Sequence, residues 1–376
     1  MIRNSPFGCG VVPPILLEDL ARQGDQSAKA TLALTATLRT ARAARVARST
    51  TEAELAVPHR LTRLVYDAGH TANPDDLPGR LVRNEDSEPI DDQSANRLFD
   101  GLGDTLRFYR EVYGRNSIDN AYMPLIASVH VETLDPKWLP ERNQIIFGDG
   151  NGESLKDGTL SLDCIAHELT HGVMQYTARL DYQGQSGALS ESVSDVFGSL
   201  VKQWKLGQTA DQADWLIGDE MVGTALDSIA LRSMRAPGTA WTNPTTGLRD
   251  PQPANMSGYL QTEDDNGGVH TNSGIPNHAF YLLATRLGGN AWEIAGQIWY
   301  DTLTNGLLAS NADFGAFASA TVTAATRRFQ SNRTVADAVV AAWREVGVDP
   351  QVSPDENAGL GASGSLDGTD ETDSCM

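Results

Sequence analysis

Two histidines four residues apart lie inside an apolar, helix-like stretch, and they constrain the fold of this chain more than any other feature. His167 and His171 flank Glu168 in the pattern His-Glu-x-x-His, within the segment CIAHELTHGVMQYTAR. Positions i and i+4 share one face of an α-helix, so both imidazole rings can reach one metal ion. Glu168 is then placed to act on water rather than to bind the metal. The pattern predicts a helix with two zinc ligands; the alternative is a pair of surface histidines.

A third ligand is needed, because a catalytic zinc ion takes three protein ligands and keeps one position for water. Glu191 follows twenty residues after His171, in a second helix-like segment, and Asp195 lies one turn further on. We predict that Glu191 completes the zinc site and that Asp195 accepts the free N–H of a ligand histidine. The alternative is a pair of acidic residues placed at a helix N-terminus by the helix dipole.

The spacing of apolar residues changes along the chain. Between about residues 57 and 163, short β-branched runs bounded by Gly, Asp and Asn favour strands, whereas helical periodicity dominates from residue 164 onward. At 376 residues the chain is long enough for two cores. We predict an α+β fold with a β-rich lobe over 57–178, which ends in the zinc helix, and an α-helical lobe over 179–348.

Composition excludes several classes of partner. The net charge of -20 argues against nucleic acid and anionic membrane surfaces, since both attract basic patches, and we expect a self-repelling monomer. The sequence has no run of 18 or more apolar residues, so we expect no transmembrane helix. The three cysteines are few and far apart, which disfavours disulfides and a structural zinc site. Residues 349–376 are rich in Gly, Ser and Asp, and we predict a disordered acidic tail.

Several motifs resemble those of thermolysin-like neutral metallopeptidases. The segment 167–195 is similar to their zinc-binding region, and DNGGVHTNSGIP (265–276) resembles their second signature. LRSM (231–234) resembles the stretch that carries a substrate-binding arginine, and GDGNG (148–152) resembles the segment before the zinc helix. The motifs occur in the family order within about residues 60–348. The resemblance implies a two-lobed zinc endopeptidase whose zinc helix lies at the cleft between the lobes, with one catalytic zinc ion held by the three ligands predicted above.

The resemblance also implies roles in catalysis. Glu168 acts as the general base, a contribution of about 10²–10⁴-fold for a positioned group. His270 and Tyr182 donate hydrogen bonds to the oxyanion, and Asp265 orients and charges His270. Arg232 holds a substrate carbonyl through a bidentate contact. The plainer alternatives are that His270 is a loop histidine, that Tyr182 is a core tyrosine, and that Arg232 forms a surface ion pair.

Substrate specificity follows from the resemblance in the same way. It implies cleavage of proteins or peptides on the amino side of hydrophobic residues, and Leu155, Cys164 and Leu231 are expected to line the S1′ pocket. Two alternatives stay open: a catalytically silent pseudo-peptidase that acts as a binding protein, and an aminopeptidase. An aminopeptidase needs an acidic exopeptidase motif upstream of the zinc motif, and the sequence shows none.

The edge strand that binds the substrate backbone departs from the family pattern. The family has Asn-Ala-x-Trp, and this chain has Asp135, Pro136 and then Lys-Trp138. Trp138 is retained, but proline lacks a backbone donor and the amide has become a carboxylate. The sequence therefore leaves open the substrate preference and the register in which a substrate backbone pairs with this strand.

This sequence lacks some of the acidic residues that form the double calcium site of thermolysin. Asp163, Asp214 and Asp219 match possible ligands, whereas Lys202 and Leu216 stand where acidic residues are expected. Calcium takes six to eight oxygen ligands, and this set falls short. We expect zinc, and at most weak calcium binding.

The first 56 residues differ from the rest and are predicted to be a prosegment. VVPPILLEDLA resembles the short prosegment of the protealysin-like branch of the family. We expect residues 1–56 to fold onto the peptidase and to be removed by cleavage between about Arg45 and His59. Cys9 is either a thiolate that blocks the metal or a plain thiol. The family resemblance implies secretion, although no classical signal peptide is visible; the alternative is a cytoplasmic protein.

Overall fold

The structure is a computed structural model that describes residues 9–45, 60–330 and 332–351. Three predictions lie outside the described residues: the cleavage region that follows Arg45, the side chain of Cys9, and the tail from residue 352. Within the described ranges, none of the helices combines the length and the apolar character needed to cross a membrane.

The strands are short and the helices are long. The described strands are β1 Cys9–Gly10, β2 Arg63–Thr71, β3 Arg80–Arg83, β4 Leu125–Val131, β5 Lys137–Leu139, β6 Gln144–Ile146, β7 Leu216–Ile217, β8 Asp227–Ser228, β9 Arg232–Ser233 and β10 Trp241–Thr242. The described helices are α1 Pro14–Arg22, α2 Gln26–Arg45, α3 Gln93–Tyr113, α4 Leu162–Gln175, α5 Gly184–Leu206, α6 Asp265–Asn272, α7 Gly274–Leu287, α8 Ala295–Thr304, α9 Phe314–Arg328 and α10 Arg333–Glu345.

The first six strands form one sheet in the order β1-β5-β6-β4-β2-β3. β2, β4 and β6 run parallel to their neighbours in this group, so their carboxyl ends meet at one edge. β5 pairs antiparallel with β6, and β1, which lies in the predicted prosegment, pairs antiparallel with β5. The sequence predicts β5 as the edge strand that receives substrate, but in this structure β1 covers that edge.

Two adjacent helices are buried on all sides and carry the zinc motif. In α4 every residue from Asp163 to Met174 is buried, and in α5 every residue from Ser186 to Val201 is buried. α5 ends at Gly207, whose φ of 65° allows the left-handed cap that closes the helix. A helix that is buried all round cannot present an ordinary solvated face, which excludes a surface location for His167 and His171.

Candidate active site

The three predicted zinc ligands meet in the core. His167 Nε2 lies 3.1 Å from His171 Nε2, and the two nitrogens lie 3.5 and 3.4 Å from the carboxylate oxygens of Glu191. Tetrahedral zinc, with bonds of about 2.0–2.2 Å, separates its ligand atoms by about 3.3 Å. Glu191 Oε2 is buried and has no hydrogen-bond partner within the described part of the chain. The spacing and this buried oxygen fit a zinc ion.

Asp195 contacts the cluster from behind. Its Oδ1 lies 2.9 Å from His167 Nδ1, so the carboxylate accepts the ring N–H that is not directed at the cluster. Burial raises the pKa of Asp195, but the Arg232 guanidinium and His167 lower it more, to about 2. The carboxylate is therefore ionised at neutral pH, and it fixes the tautomer in which His167 Nε2 can bind a metal.

Arg232 is held by Asp195. Its Nε and Nη2 each lie 2.7 Å from an oxygen of Asp195, and Nη1 donates to the backbone carbonyl of Val11. We expected Arg232 to make a bidentate contact with a substrate carbonyl. In the structure the bidentate contact is made to Asp195, and only Nη1 contacts a main-chain carbonyl. A planar guanidinium can use one edge for the carboxylate because its remaining donor points elsewhere.

Glu168 faces the cleft next to the ligands and is completely buried. Its Oε2 accepts a hydrogen bond of 2.6 Å from the backbone N–H of Trp138, and its Oε1 has no hydrogen-bond partner among the described residues. Burial is the main reason why the pKa of Glu168 is raised well above its usual value. A carboxylate with a raised pKa accepts a proton more readily, as a general base must.

His270, Asp265 and Tyr182 stand together on the far side of the cluster. His270 Nδ1 lies 2.8 Å from Asp265 Oδ1, and Nε2 lies 2.7 Å from the carbonyl oxygen of Gly10, so both ring nitrogens face acceptors. Burial lowers the pKa of His270, but the Asp265 and Glu191 carboxylates raise it to about 9. The Tyr182 hydroxyl donates to Glu191 and lies 3.5 Å from His270 Nε2.

The loop that carries Asp265 and His270 depends on two glycines. Gly267 and Gly268 have φ values of 86° and 73°, in the left-handed region that glycine adopts without a steric penalty. Gly267 also lies against the backbone of Gly184, where an added Cβ atom would come within 3.0 Å. The turn brings the backbone N–H of His270 within 2.9 Å of Asp265 Oδ2, which fixes the ring beside the cleft.

The prosegment runs through this cleft as a strand. Cys9 and Gly10 pair with Trp138 and Lys137 of β5 in an antiparallel register. The carbonyl of Gly10 faces His270, the carbonyl of Val11 faces Arg232, and the N–H of Val12 donates to Asp135 Oδ1 at 2.8 Å. Asp135 stands where the family has an asparagine, and it can still bind the backbone of the prosegment strand through a carboxylate oxygen that accepts the N–H. Lys137 forms an ion pair with the same carboxylate.

Trp138 supports the cleft through its position in β5. Its ring is buried, lies close to Gly172 of α4, and donates from Nε1 to Gln175 at 2.9 Å. An added Cβ atom at Gly172 would lie 3.0 Å from the indole ring. Trp138 therefore contacts the prosegment through its backbone position, and its indole ring locks β5 onto the zinc helix.

The predicted pocket residues are fully buried while the prosegment is in place. Leu155, Cys164 and Leu231 have no exposed surface, and they belong to the same hydrophobic cluster as Val11 and Val12. Leu231 and the Cys164 sulfur both lie beside Gly218, which brings them onto one wall. Burial raises the pKa of the Cys164 thiol well above its usual value, so this cysteine is a neutral thiol and not a thiolate.

Lys202 occupies the region where calcium ligands were considered. Its ammonium lies 2.7 Å from Asp219, 3.0 Å from Asp214 and 3.5 Å from Asp163. Burial lowers the pKa of Lys202, but the three carboxylates raise it more, so the side chain stays charged. The three acids thus have a cationic partner within the chain itself.

Comparison with protein families decides the class. Residues 35–175 match the family model described as "Thermolysin metallopeptidase, catalytic domain", and residues 178–348 match "Thermolysin metallopeptidase, alpha-helical domain". The chain belongs to the thermolysin metallopeptidase family. The family resemblance and the two-lobed α+β fold predicted from the sequence are confirmed. The catalytic-domain match begins at residue 35, inside the predicted prosegment, so the predicted domain boundaries stay predictions.

Individual members of the thermolysin family are similar over most of the chain. An "Extracellular metalloprotease" of Pectobacterium carotovorum subsp. carotovorum is 48% identical over 287 residues, which are 76% of this chain and 81% of that protein. "Protease PrtS" of Photorhabdus sp. (strain Az29) is 42% identical over 92% of this chain and 94% of its own length. The solved structure titled "Precursor of Protealysin, Metalloproteinase from Serratia proteamaculans" is 44% identical, has a TM-score of 0.80, and covers 90% of this chain and 99% of that one.

These relationships establish the enzyme class. The chain is a zinc-dependent metalloendopeptidase that is made as a proenzyme, and its protein or peptide substrates and its own prosegment are confirmed as partners. The comparisons give no support to the catalytically silent alternative.

Sequence reasoning did not single out two residues beside the cluster. Asn277 donates to Asp195 Oδ2 at 2.8 Å, and Gln252 donates to the backbone carbonyl of His270 at 2.8 Å. Asn277 directly follows the second signature, which is the signal that could have found it. Gln252 lies in a loop between Pro residues, and no local pattern points to it.

Proposed function

We propose that this enzyme cleaves peptide bonds on the amino side of hydrophobic residues and that its prosegment inhibits it by lying in the cleft like a substrate. One arrangement carries the proposal: Gly10 presents its carbonyl to His270, and the next residue, Val11, presents its carbonyl to Arg232. If His270 marks the carbonyl under attack, the Gly10–Val11 bond occupies the scissile position. The residue on the amine side of that bond is then an apolar valine.

In the proposed mechanism, His167, His171 and Glu191 would hold a zinc ion, which would supply Lewis-acid chemistry and a water molecule of lowered pKa. Glu168 takes the proton of the attacking water and later passes it to the leaving amine. His270 and Tyr182 donate hydrogen bonds to the oxyanion that develops on the substrate carbonyl. Asp265 keeps His270 charged and oriented, because it accepts from both the ring and the backbone of that histidine.

Arg232 and the strand β5 position the substrate in this proposal. Arg232 holds the carbonyl of the residue that follows the scissile bond, and Asp195 keeps the guanidinium in place. Asp135 accepts the next backbone N–H, the contact that Val12 makes in the proenzyme. Leu155, Cys164 and Leu231 form an apolar wall for the side chain that follows the scissile bond.

The prosegment is held by contacts beyond the cleft. Asp19 in α1 is buried and accepts hydrogen bonds from Asn243 at 2.7 Å and Thr246 at 2.9 Å. Asp25 accepts from Asn151 at 2.7 Å, and Thr31 accepts from the N–H of Leu134 at 2.7 Å. These contacts of Asp19, Asp25 and Thr31 support a prosegment that docks on the peptidase and keeps Gly10 and Val11 in register.

We further propose that the mature enzyme is secreted and acts as a monomer, without nucleic acid or membrane partners. The name of the Pectobacterium relative describes an extracellular protein, and the strongly acidic composition favours a self-repelling soluble particle.

The test of specificity uses the processed enzyme and a series of quenched peptides that differ only in the residue after one glycine. With Val, Leu, Ala or Asp at that position, we expect cleavage before Val and Leu to exceed cleavage before Asp by at least about tenfold, since one buried apolar side chain contributes about 1.5–3 kcal/mol. Mass spectrometry identifies the bond that is cut. Cleavage after the apolar residue, or equal cleavage of the Asp peptide, would contradict the proposal.

The test of inhibition compares the proenzyme of the parent with a Val11→Asp variant. A charged side chain at a fully buried position should weaken docking of the strand, so the variant should show peptidase activity before its N-terminus is lost. Glu18→Ala is a matched control, because Glu18 is an exposed residue of the same prosegment. Identical latency of the Val11→Asp and control proenzymes would show that Val11 does not fill a specificity pocket.

A further inference from the structure

A second cluster of metal-binding side chain types lies at the carboxyl ends of three neighbouring parallel strands. His70 lies near the end of β2, His130 lies near the end of β4, and Asp149 follows β6. The pairs β2–β4 and β4–β6 are parallel, so these three positions meet at one edge of the sheet. None of the three residues belongs to the catalytic cluster, and the sequence motifs give no role to either histidine.

Both imidazole rings converge on one carboxylate. His130 Nδ1 lies 2.6 Å from Asp149 Oδ1, and His70 Nδ1 lies 3.2 Å from Asp149 Oδ2. One ligand atom from each of the three residues lies within 4.8 Å of the others. Both histidines have left-handed backbones, with φ values of 59° and 57°, and these conformations bring the two rings to a centroid distance of 5.3 Å.

Asp92 fixes the orientation of the more buried ring. Its Oδ2 lies 2.8 Å from His130 Nε2, and its Oδ1 caps α3 by accepting from the N–H groups of Ser94 and Ala95. A carboxylate that accepts the Nε2–H of a histidine leaves Nδ1 with a lone pair for a metal. The Nδ1 atom of His130 is the nitrogen that faces Asp149 and His70.

We propose that His70, His130 and Asp149 bind a divalent transition-metal ion of the zinc class, with Asp92 as the residue that orients His130. Two imidazoles and one carboxylate suit zinc, nickel or copper, whereas calcium and magnesium prefer oxygen ligands. The side chain of His70 is 65% exposed and that of Asp149 is 38% exposed, so an ion can enter from solvent and a water molecule can complete its coordination. The ion would clip the ends of three strands to the N-terminus of α3.

Zinc counting on the full-length protein tests the site. After dialysis against micromolar zinc chloride near neutral pH, the parent should hold a second equivalent of zinc in addition to the catalytic one. His70→Asn and His130→Asn should each lose the second equivalent and keep the first. His278→Asn is the matched control, because His278 lies in α7 and belongs to neither cluster, and this variant should keep both equivalents.

Two results would overturn the site. If the parent holds one equivalent, the cluster is an ion-pair network in which a protonated His130 bridges Asp92 and Asp149. If His130→Asn keeps the second equivalent, that zinc ion binds elsewhere. The catalytic equivalent reports correct folding of each variant, and circular dichroism confirms it. As an independent measurement, Cu²⁺ bound at the second site should show superhyperfine coupling to two nitrogen nuclei in the parent and to one in His70→Asn.

Discussion

Arg232 and Asp195 form a buried, bidentate ion pair whose two contacts are both 2.7 Å long, and the same carboxylate accepts the ring N–H of His167. A residue that is proposed to bind substrate is thereby linked to a zinc ligand through one side chain. Neither member of the pair has appreciable contact with solvent, so little screening weakens the interaction. The pair should therefore matter for folding, zinc binding and turnover together.

Asp195→Ala should destabilise the protein by about 3–5 kcal/mol, because it leaves the buried guanidinium of Arg232 unpaired. It should also weaken zinc binding by about 10–100-fold, since His167 loses the partner that orients its ring. Denaturant unfolding and zinc titration of the same sample measure the two effects. The double variant with Arg232→Met should lose less stability than the sum of the two single changes; strict additivity would mean that the pair is not coupled.

Glu168→Gln should keep zinc and lower peptide hydrolysis by at least about 100-fold, the lower range for a positioned general base. The amide can still accept the N–H of Trp138 through its oxygen, so the local packing is preserved. Metal content and turnover are measured on one preparation of processed enzyme. Turnover close to that of the parent would exclude Glu168 as the base.

Glu191→Ala should lose zinc, because two histidines alone leave the ion under-coordinated. Ser190→Ala provides the matched control: Ser190 precedes the ligand, its hydroxyl lies 3.5 Å from His171 Nδ1, and it contributes no metal-binding carboxylate. Dialysis against a weak chelator followed by metal analysis separates the two variants. A Glu191→Ala protein that retains zinc as tightly as Ser190→Ala would rule out Glu191 as a ligand.

Lys202→Ala should make the stability of the protein depend on calcium. The parent should show no shift in its melting temperature when calcium is added, since the Lys202 ammonium already lies among the carboxylates of Asp163, Asp214 and Asp219, where a calcium ion would have to bind. Removal of the ammonium leaves three close carboxylates that repel one another and can accept a cation. Lys205→Ala, on the same helix but paired with Asp104, is the control and should stay insensitive to calcium. If calcium leaves the melting temperature of Lys202→Ala unchanged, Lys202 does not take the place of a calcium ion.

The zinc cluster could be predicted from sequence because helical spacing alone determines which side chains share a face. The four-residue intervals between His167 and His171, and between Glu191 and Asp195, required no knowledge of the fold. The partner of Asp195 could not be found in this way, since Arg232 lies 37 residues further along the chain and meets it only through tertiary packing. The strand β1 was missed for a similar reason: it is two residues long, and pairing with β5, more than a hundred residues away, defines it.

The position of Gly10 and Val11 in the cleft has a consequence for the time course of activation. While these residues stay bound, the chain's own catalytic groups are occupied and cannot cut its own connecting segment. If the bound strand is inhibitory, as we propose, the cuts are made by copies whose cleft is open, and each cut adds another such copy, which makes activation self-accelerating. A purified proenzyme should show a lag followed by a rapid rise in activity. The lag should shorten when the proenzyme is concentrated or when a trace of processed enzyme is added, as expected for a reaction whose product is its own catalyst.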